Sequence, residues 1–161
     1  SRRVLERVLA LRQEGYRVVP LRGNHEDMLL QVAAAPSPAA RHRFAREYGS
    51  MDLFDNGGEL PAHLLRMLSA LPYFLEIEGA LLVHGGFDFD APAPFTRLRT
   101  MLYQRRVWND ARHTGGKPIL HGHTPTPLHE IEEAVALRAP VLPLDNGCVY
   151  ALRGSLRHGL G

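Results

Sequence analysis

The first stretch of the chain, SRRVLERVLALRQEGY, spaces its apolar residues by threes and fours. Val4, Leu5, Val8, Leu9 and Leu11 share one side of a 3.6-residue period. A helix is predicted there, with Ser1 as N-cap and Gly15 as its stop. YRVVPL follows as a short β-rich run with Pro20 near its end. HEDMLLQVAAA then returns to helical spacing and is stopped by PSPAA. Residues 36–60 show little periodicity beyond one helix at 40–48, and DNGGEL reads as a turn cluster. PAHLLRMLSALP predicts a further helix, with Pro61 at its first position.

The second half changes rhythm. YFLEIEGALLVHGGF predicts two strands joined at Glu78-Gly79, the second running from Ala80 to Val83 and straight into His84-Gly85-Gly86. DFDAPAPF is loop, and TRLRTMLYQRRVWNDA predicts one helix. KPILHGHTPTPL predicts a buried short strand that ends in a His-Gly-His turn. IEEAVALRAP is a helix or a connection. VLPLDNGCVYAL predicts two short strands around Asn146-Gly147, a favourable hairpin dipeptide. Helices alternating with short apolar strands indicate a layered α/β protein.

Composition narrows the picture. The chain has 161 residues, enough for one domain, and its 45% hydrophobic content supports a packed core. No apolar run reaches the roughly 18 residues of a membrane span, and the basic N-terminus lacks the apolar region of a signal peptide. The single cysteine, Cys148, excludes an internal disulfide framework and fits a cytoplasmic location. Entering a strand after a hairpin turn, it reads as a small buried side chain rather than a nucleophile. With a net charge of +2 and no contiguous basic block, neither nucleic acid nor membrane is expected as a partner.

Histidine is the informative residue type, with nine in the chain. One histidine after a strand is ordinarily a solvated loop residue. Here three apolar strands end alike: VVPL in Arg22-Gly23-Asn24-His25-Glu26, ALLV in His84-Gly85-Gly86, and PIL in His121-Gly122-His123-Thr124. Ligands of open α/β sheets collect beyond the carboxyl ends of strands. Imidazoles with an amide or carboxylate oxygen suit a borderline divalent metal, and adjacent glycines permit close backbone approach.

LRGNHE (21–26), LVHGGF (82–87) and HGHTPT (121–126) together resemble the last three motifs of the calcineurin-like metallophosphoesterases, in the same order. LPYFLEIEGALLVHGGF, HGHTPTPLHEI and LDNGCVY look most like the bacterial phosphoprotein (Ser/Thr) phosphatase branch. The resemblance implies a four-layer α-β-β-α sandwich, with residues 1–161 forming one incomplete domain. It implies Asn24 as an oxygen ligand of the second metal, and His84 and His123 as its nitrogen ligands. His25 matches the catalytic histidine that protonates the leaving alkoxide. Arg105 sits where the family clamps substrate phosphate, with Arg106 as the fallback because Tyr103 stands where the family more often has Trp. Arg22 and Glu26 are expected to hold the loop. His121 is open between a structural role and a second-shell or substrate-facing one.

The implied cofactors are two divalent ions, manganese first with iron or zinc as alternatives, in a bacterial, cytoplasmic enzyme. Two metals about 3.5–4 Å apart bind a bridging hydroxide together with phosphoryl oxygens, so no covalent enzyme intermediate is needed. The implied substrate is a phosphoprotein or a small phosphoester. Symmetrical dinucleoside tetraphosphates, or a non-catalytic phosphate-binding role, are the alternatives. The family's first two motifs, Gly-Asp-x-His-Gly and Gly-Asp-x-x-Asp-Arg-Gly, do not occur in this sequence. A fragment truncated at both ends, with little or no activity by itself, is therefore expected. No oligomeric state is implied.

Overall fold

The computed structural model describes residues 2–35 and 37–147. Ser1, Cys148 and the second strand of the C-terminal hairpin lie outside the described residues. The chain divides into two compact units, the first ending at Pro72 and the second beginning at Tyr73. Among the described residues no helix is long and apolar enough to cross a membrane.

Unit 1 is helical. Helix α1 (Arg2–Gln13) ends as its spacing predicts. Gly15 adopts φ +92°, and the N–H groups of Gly15 and Tyr16 donate to the Arg12 and Leu11 carbonyls. The strand predicted at 16–21 does not form, because unit 1 has no strand among its described residues to offer a ladder. Pro20 has no N–H to give one, and the Val18 carbonyl is instead taken by Arg12 Nε at 2.9 Å.

Helix α2 (Asn24–Ala34) opens on a carboxylate: Glu26 Oε2 accepts from the Gly23 N–H at 2.9 Å. Glu26 and Asp27 also place negative charge in the first turn, where the helix dipole favours it. Ser37 caps α3 (Pro38–Glu47) by accepting from the Ala40 N–H. A 3-10 turn (Met51–Leu53) leads toward α4 (Ala62–Ser69), which Pro61 precedes rather than opens. Leu29, Leu53, Leu60, Leu64, Leu68 and Leu71 form the core, each contributing about 1.5–3 kcal/mol on full burial.

Unit 2 is a mixed α/β layer. Strands β1 (Phe74–Ile77) and β2 (Ala80–Val83) form the predicted hairpin, with Ile77 opposite Ala80. Strand β3 (Ile119–His121) lies parallel to β2, and β4 (Val141–Pro143) parallel to β3. The sheet order is β1-β2-β3-β4. Helix α7 (Leu128–Ala136) makes the β3-to-β4 crossover and settles the segment left open between helix and connection. Leu81, Val83, Phe87, Met101 and Ile119 form the core, where Phe87 meets Phe74 and Phe95 edge-on.

The single helix predicted at 96–111 is two. Helix α5 (Leu98–Tyr103) stops at Gln104, whose backbone is extended at ψ 129°. Helix α6 (Ala111–Thr114) restarts where the Asp110 carboxylate accepts from the Arg112 N–H. Close packing explains the break. The Gly85 N–H donates to the Met101 carbonyl at 2.6 Å. A Cβ at Gly85 would stand 2.9 Å from the Gln104 nitrogen.

Candidate metal centre and active site

In unit 1, Asn24 and His25 are the first two residues of α2. Arg22 anchors the approach to that helix. Its Nη2 donates to the carbonyls of Ser69 at 2.7 Å and Leu68 at 3.1 Å, and its guanidinium lies 3.9 Å from Asp27. Its own N–H donates to Pro72. Arg22 and Glu26 are thus occupied in holding the turn. His25 is exposed and meets the Tyr48 ring at 5.3 Å, nearly edge to face. Among the described residues its imidazole has no hydrogen-bond partner.

In unit 2, the parallel pairing of β2 and β3 brings two of the predicted turns together. Val83 pairs with His121, so both strands end at one level. Beyond that level the Gly122 N–H donates to the His84 carbonyl at 3.0 Å and ties the two turns. His123 stands at φ +65°, where an L-residue is strained, and the Thr124 N–H closes a three-residue turn over it to the Gly122 carbonyl at 2.7 Å. As a result His84 Nε2 and His123 Nδ1 are 3.1 Å apart, and both rings are half-buried.

That separation is a test of fit for a metal. Two imidazole nitrogens about 2.0–2.1 Å from one ion, and about 90–110° apart around it, would themselves be about 2.8–3.4 Å apart. The pair meets this condition. It supplies two donors, and among the described residues no group of three or more His, Cys, Asp or Glu side chains is placed for a metal. A carboxamide oxygen or solvent would have to complete the coordination.

His121 is not part of the pair. It is buried, its Nδ1 lies 3.0 Å from the Gly122 carbonyl, and burial pushes its pKa below the ordinary value against that hydrogen bond. Because a carbonyl only accepts, Nδ1 carries the proton of that bond. Arg105 and Arg106 are exposed, and neither guanidinium has a hydrogen-bond partner among the described residues. Sequence reasoning missed two aromatic neighbours. Tyr48 meets His25, and Tyr103 meets His123 edge-on at 6.4 Å while carrying the Arg99 guanidinium over its own face. No local pattern marks Tyr48, and the sequence marks Tyr103 only as a departure from the family's Trp, because each contact is made across the fold.

A family model described as calcineurin-like phosphoesterase matches residues 2–154. No curated protein and no solved structure matches the chain.

Proposed function

The chain belongs to the calcineurin-like phosphoesterase family, and we propose that it carries the second-metal half of a phosphatase acting on phosphoserine and phosphothreonine in proteins. Membership makes it a metal-dependent phosphoesterase domain, of a family that generally binds two divalent metals. The observation that supports the metal centre is the imidazole pair, with nitrogens 3.1 Å apart at the ends of adjacent parallel strands; the protein substrate rests on the resemblance of LPYFLEIEGALLVHGGF and HGHTPTPLHEI.

In this reading His84 and His123 are nitrogen ligands and Asn24 gives a carboxamide oxygen, with manganese the first choice of ion. The bound metal supplies Lewis acidity toward a phosphoryl oxygen and lowers the pKa of water. His25 donates a proton to the departing alkoxide, a role suited to an imidazole near neutral pH. Arg105 takes the phosphoryl oxygens with its planar fork, and Arg106 is its substitute. Because the ligands carried by Gly-Asp-x-His-Gly and Gly-Asp-x-x-Asp-Arg-Gly are absent from these residues, the 161-residue chain assayed alone should show little turnover.

Calorimetric titration with Mn2+ tests the centre. One ion per chain is expected, with affinity falling at least tenfold in His84→Ala and in His123→Ala; unchanged affinity in both would sink the assignment. Turnover of a phosphoseryl peptide is then compared with that of a symmetrical dinucleoside tetraphosphate. Preference for the tetraphosphate would overturn the protein substrate. Brisk hydrolysis by the chain alone, abolished by His25→Ala, would overturn the expected inactivity while keeping His25 in its role.

A further inference from the structure

Unit 1 contains a cavity of about 240 Å³ that His25 and Glu26 border. Leu29, Phe44, Leu53 and Leu68 give it apolar walls. Ser50 also lines it, with 6% of its surface exposed and its hydroxyl without a hydrogen-bond partner among the described residues. Leaving a buried hydroxyl unpaired costs about 1–3 kcal/mol, so an occupant that satisfies it gains a specific contact. His25 stands at the cavity as well, exposed and with its imidazole unpaired among the described residues.

Size, charge and shape define the occupant. A dry apolar cavity of about 150 Å³ accepts benzene in another protein, so this one has room for a single aromatic ring bearing a polar atom. Among the described residues no lysine or arginine lines it, and Glu26, whose carboxylate accepts from the Gly23 N–H, does. An anion would lose its water among these apolar walls and lie beside the Glu26 carboxylate, so a neutral ligand fits the lining better. Phe44 and Tyr48 present rings for edge-to-face contact. We propose that this cavity is a binding site for a small neutral aromatic alcohol of the phenol class, with its ring between Leu29, Phe44, Leu53 and Leu68 and its hydroxyl hydrogen-bonded to Ser50 Oγ. Although His25 borders the cavity, the test is separable from the phosphoesterase reading, since neither metal nor turnover enters it.

The test is a titration of the full chain, with 13C-labelled leucine methyls, in metal-free buffer. Benzene, phenol and phenyl phosphate are the probes. Saturable shifts at the methyls of Leu29, Leu53 and Leu68 are expected with phenol. Benzene should bind about three- to tenfold more weakly for want of the hydrogen bond, and phenyl phosphate more weakly than either. In Ser50→Ala the preference for phenol over benzene should disappear while benzene affinity is kept. Shifts that stay linear to the solubility limit, saturation only at methyls of unit 2, or phenyl phosphate binding as tightly as phenol would each overturn the proposal. So would an unchanged phenol preference in Ser50→Ala. If that variant does not fold, the order of the three ligands on the unsubstituted chain decides.

Discussion

Replacing Gly85 by alanine probes the turn that carries His84. The added Cβ would meet the Gln104 nitrogen at 2.9 Å, the Met101 oxygen at 3.0 Å and the Gln104 oxygen at 3.1 Å. All three are backbone atoms, so no side chain can swing aside. That backbone is held by the Gln104 N–H to Thr100 at 3.0 Å and the Gly85 N–H to Met101 at 2.6 Å. Relief therefore demands strain of about 1–3 kcal/mol together with loss of a hydrogen bond worth about 1 kcal/mol. Together they amount to about 3 kcal/mol. Gly86 is the internal control. Its Cβ would meet Gln104 Cγ at 3.0 Å and Val107 Cγ2 at 3.1 Å. Those atoms belong to side chains that can rotate, at a cost of about 1 kcal/mol. Both variants gain similarly from a less flexible unfolded chain, so that contribution cancels in the comparison. Urea unfolding followed by the fluorescence of Trp108, the one tryptophan, reads unit 2. With a slope of about 2 kcal/mol per molar urea, the Gly85→Ala midpoint should fall about 1 M below that of Gly86→Ala. Midpoints that coincide, or an inverted order, would refute the backbone-clasp account.

Three further outcomes follow from the geometry. Arg41 is buried at 6% exposure and donates to Ala35 O, Gly58 O and Glu59 Oε1. Arg41→Ala should cost about 2–3 kcal/mol in thermal or urea unfolding, and Arg41→Lys should recover less than half, because one ammonium cannot span the three acceptors; full rescue by lysine would contradict this. At position 123 the usual order of alanine over glycine should reverse: both lose the imidazole, but only glycine tolerates φ +65° freely, so His123→Gly should be more stable than His123→Ala by about 1 kcal/mol. The Asp110 carboxyl is held down to about 2 from 3.8 by hydrogen bonds from the Arg112 side chain. Being depressed in the folded chain, its contribution to stability is whole above pH 3.8 and is lost as pH falls through about 2. A carboxyl NMR titration should show that low midpoint, and Arg112→Ala should return it toward 3.8; no change on substitution would remove Arg112 as the cause.

The readable features of the chain were those set by near neighbours. The β1–β2 hairpin at Glu78-Gly79, the strand running into His84 and the one ending at His121 all follow from short apolar runs closed by turn residues. The first helix and its Gly15 stop follow from spacing and from one permissive residue. What misled was pattern without a partner. Residues 16–21 have strand composition, yet a strand exists only where another chain segment accepts its hydrogen bonds, and unit 1 offers none among the described residues. The 96–111 helix has acceptable periodicity throughout. It is broken at Gln104 by a residue nearly twenty positions earlier, because Gly85 lets the two backbones touch. Arg41 looks like one more surface cation until the turn at 55–60 brings the Gly58 carbonyl and the Glu59 carboxylate to it.

The same distinction applies inside the candidate centre. The presence of histidines at strand ends is a local property and was visible. Their 3.1 Å approach is not local: it needs parallel pairing of β2 with β3, the Gly122-to-His84 backbone bond, and His123 forced to positive φ. The positive φ costs stability, and His123 is not among the residues that bury the core of Leu81, Val83, Phe87 and Ile119. A turn built only to connect β3 to α7 would place glycine at position 123 and leave the strain out. Retaining a strained imidazole that faces a second imidazole is the arrangement expected when two nitrogens must meet one ion. On that reasoning, loss of metal affinity in His123→Gly should accompany its gain in stability over His123→Ala. A glycine variant that kept both the stability and the metal would show that the positive-φ turn has no functional purpose.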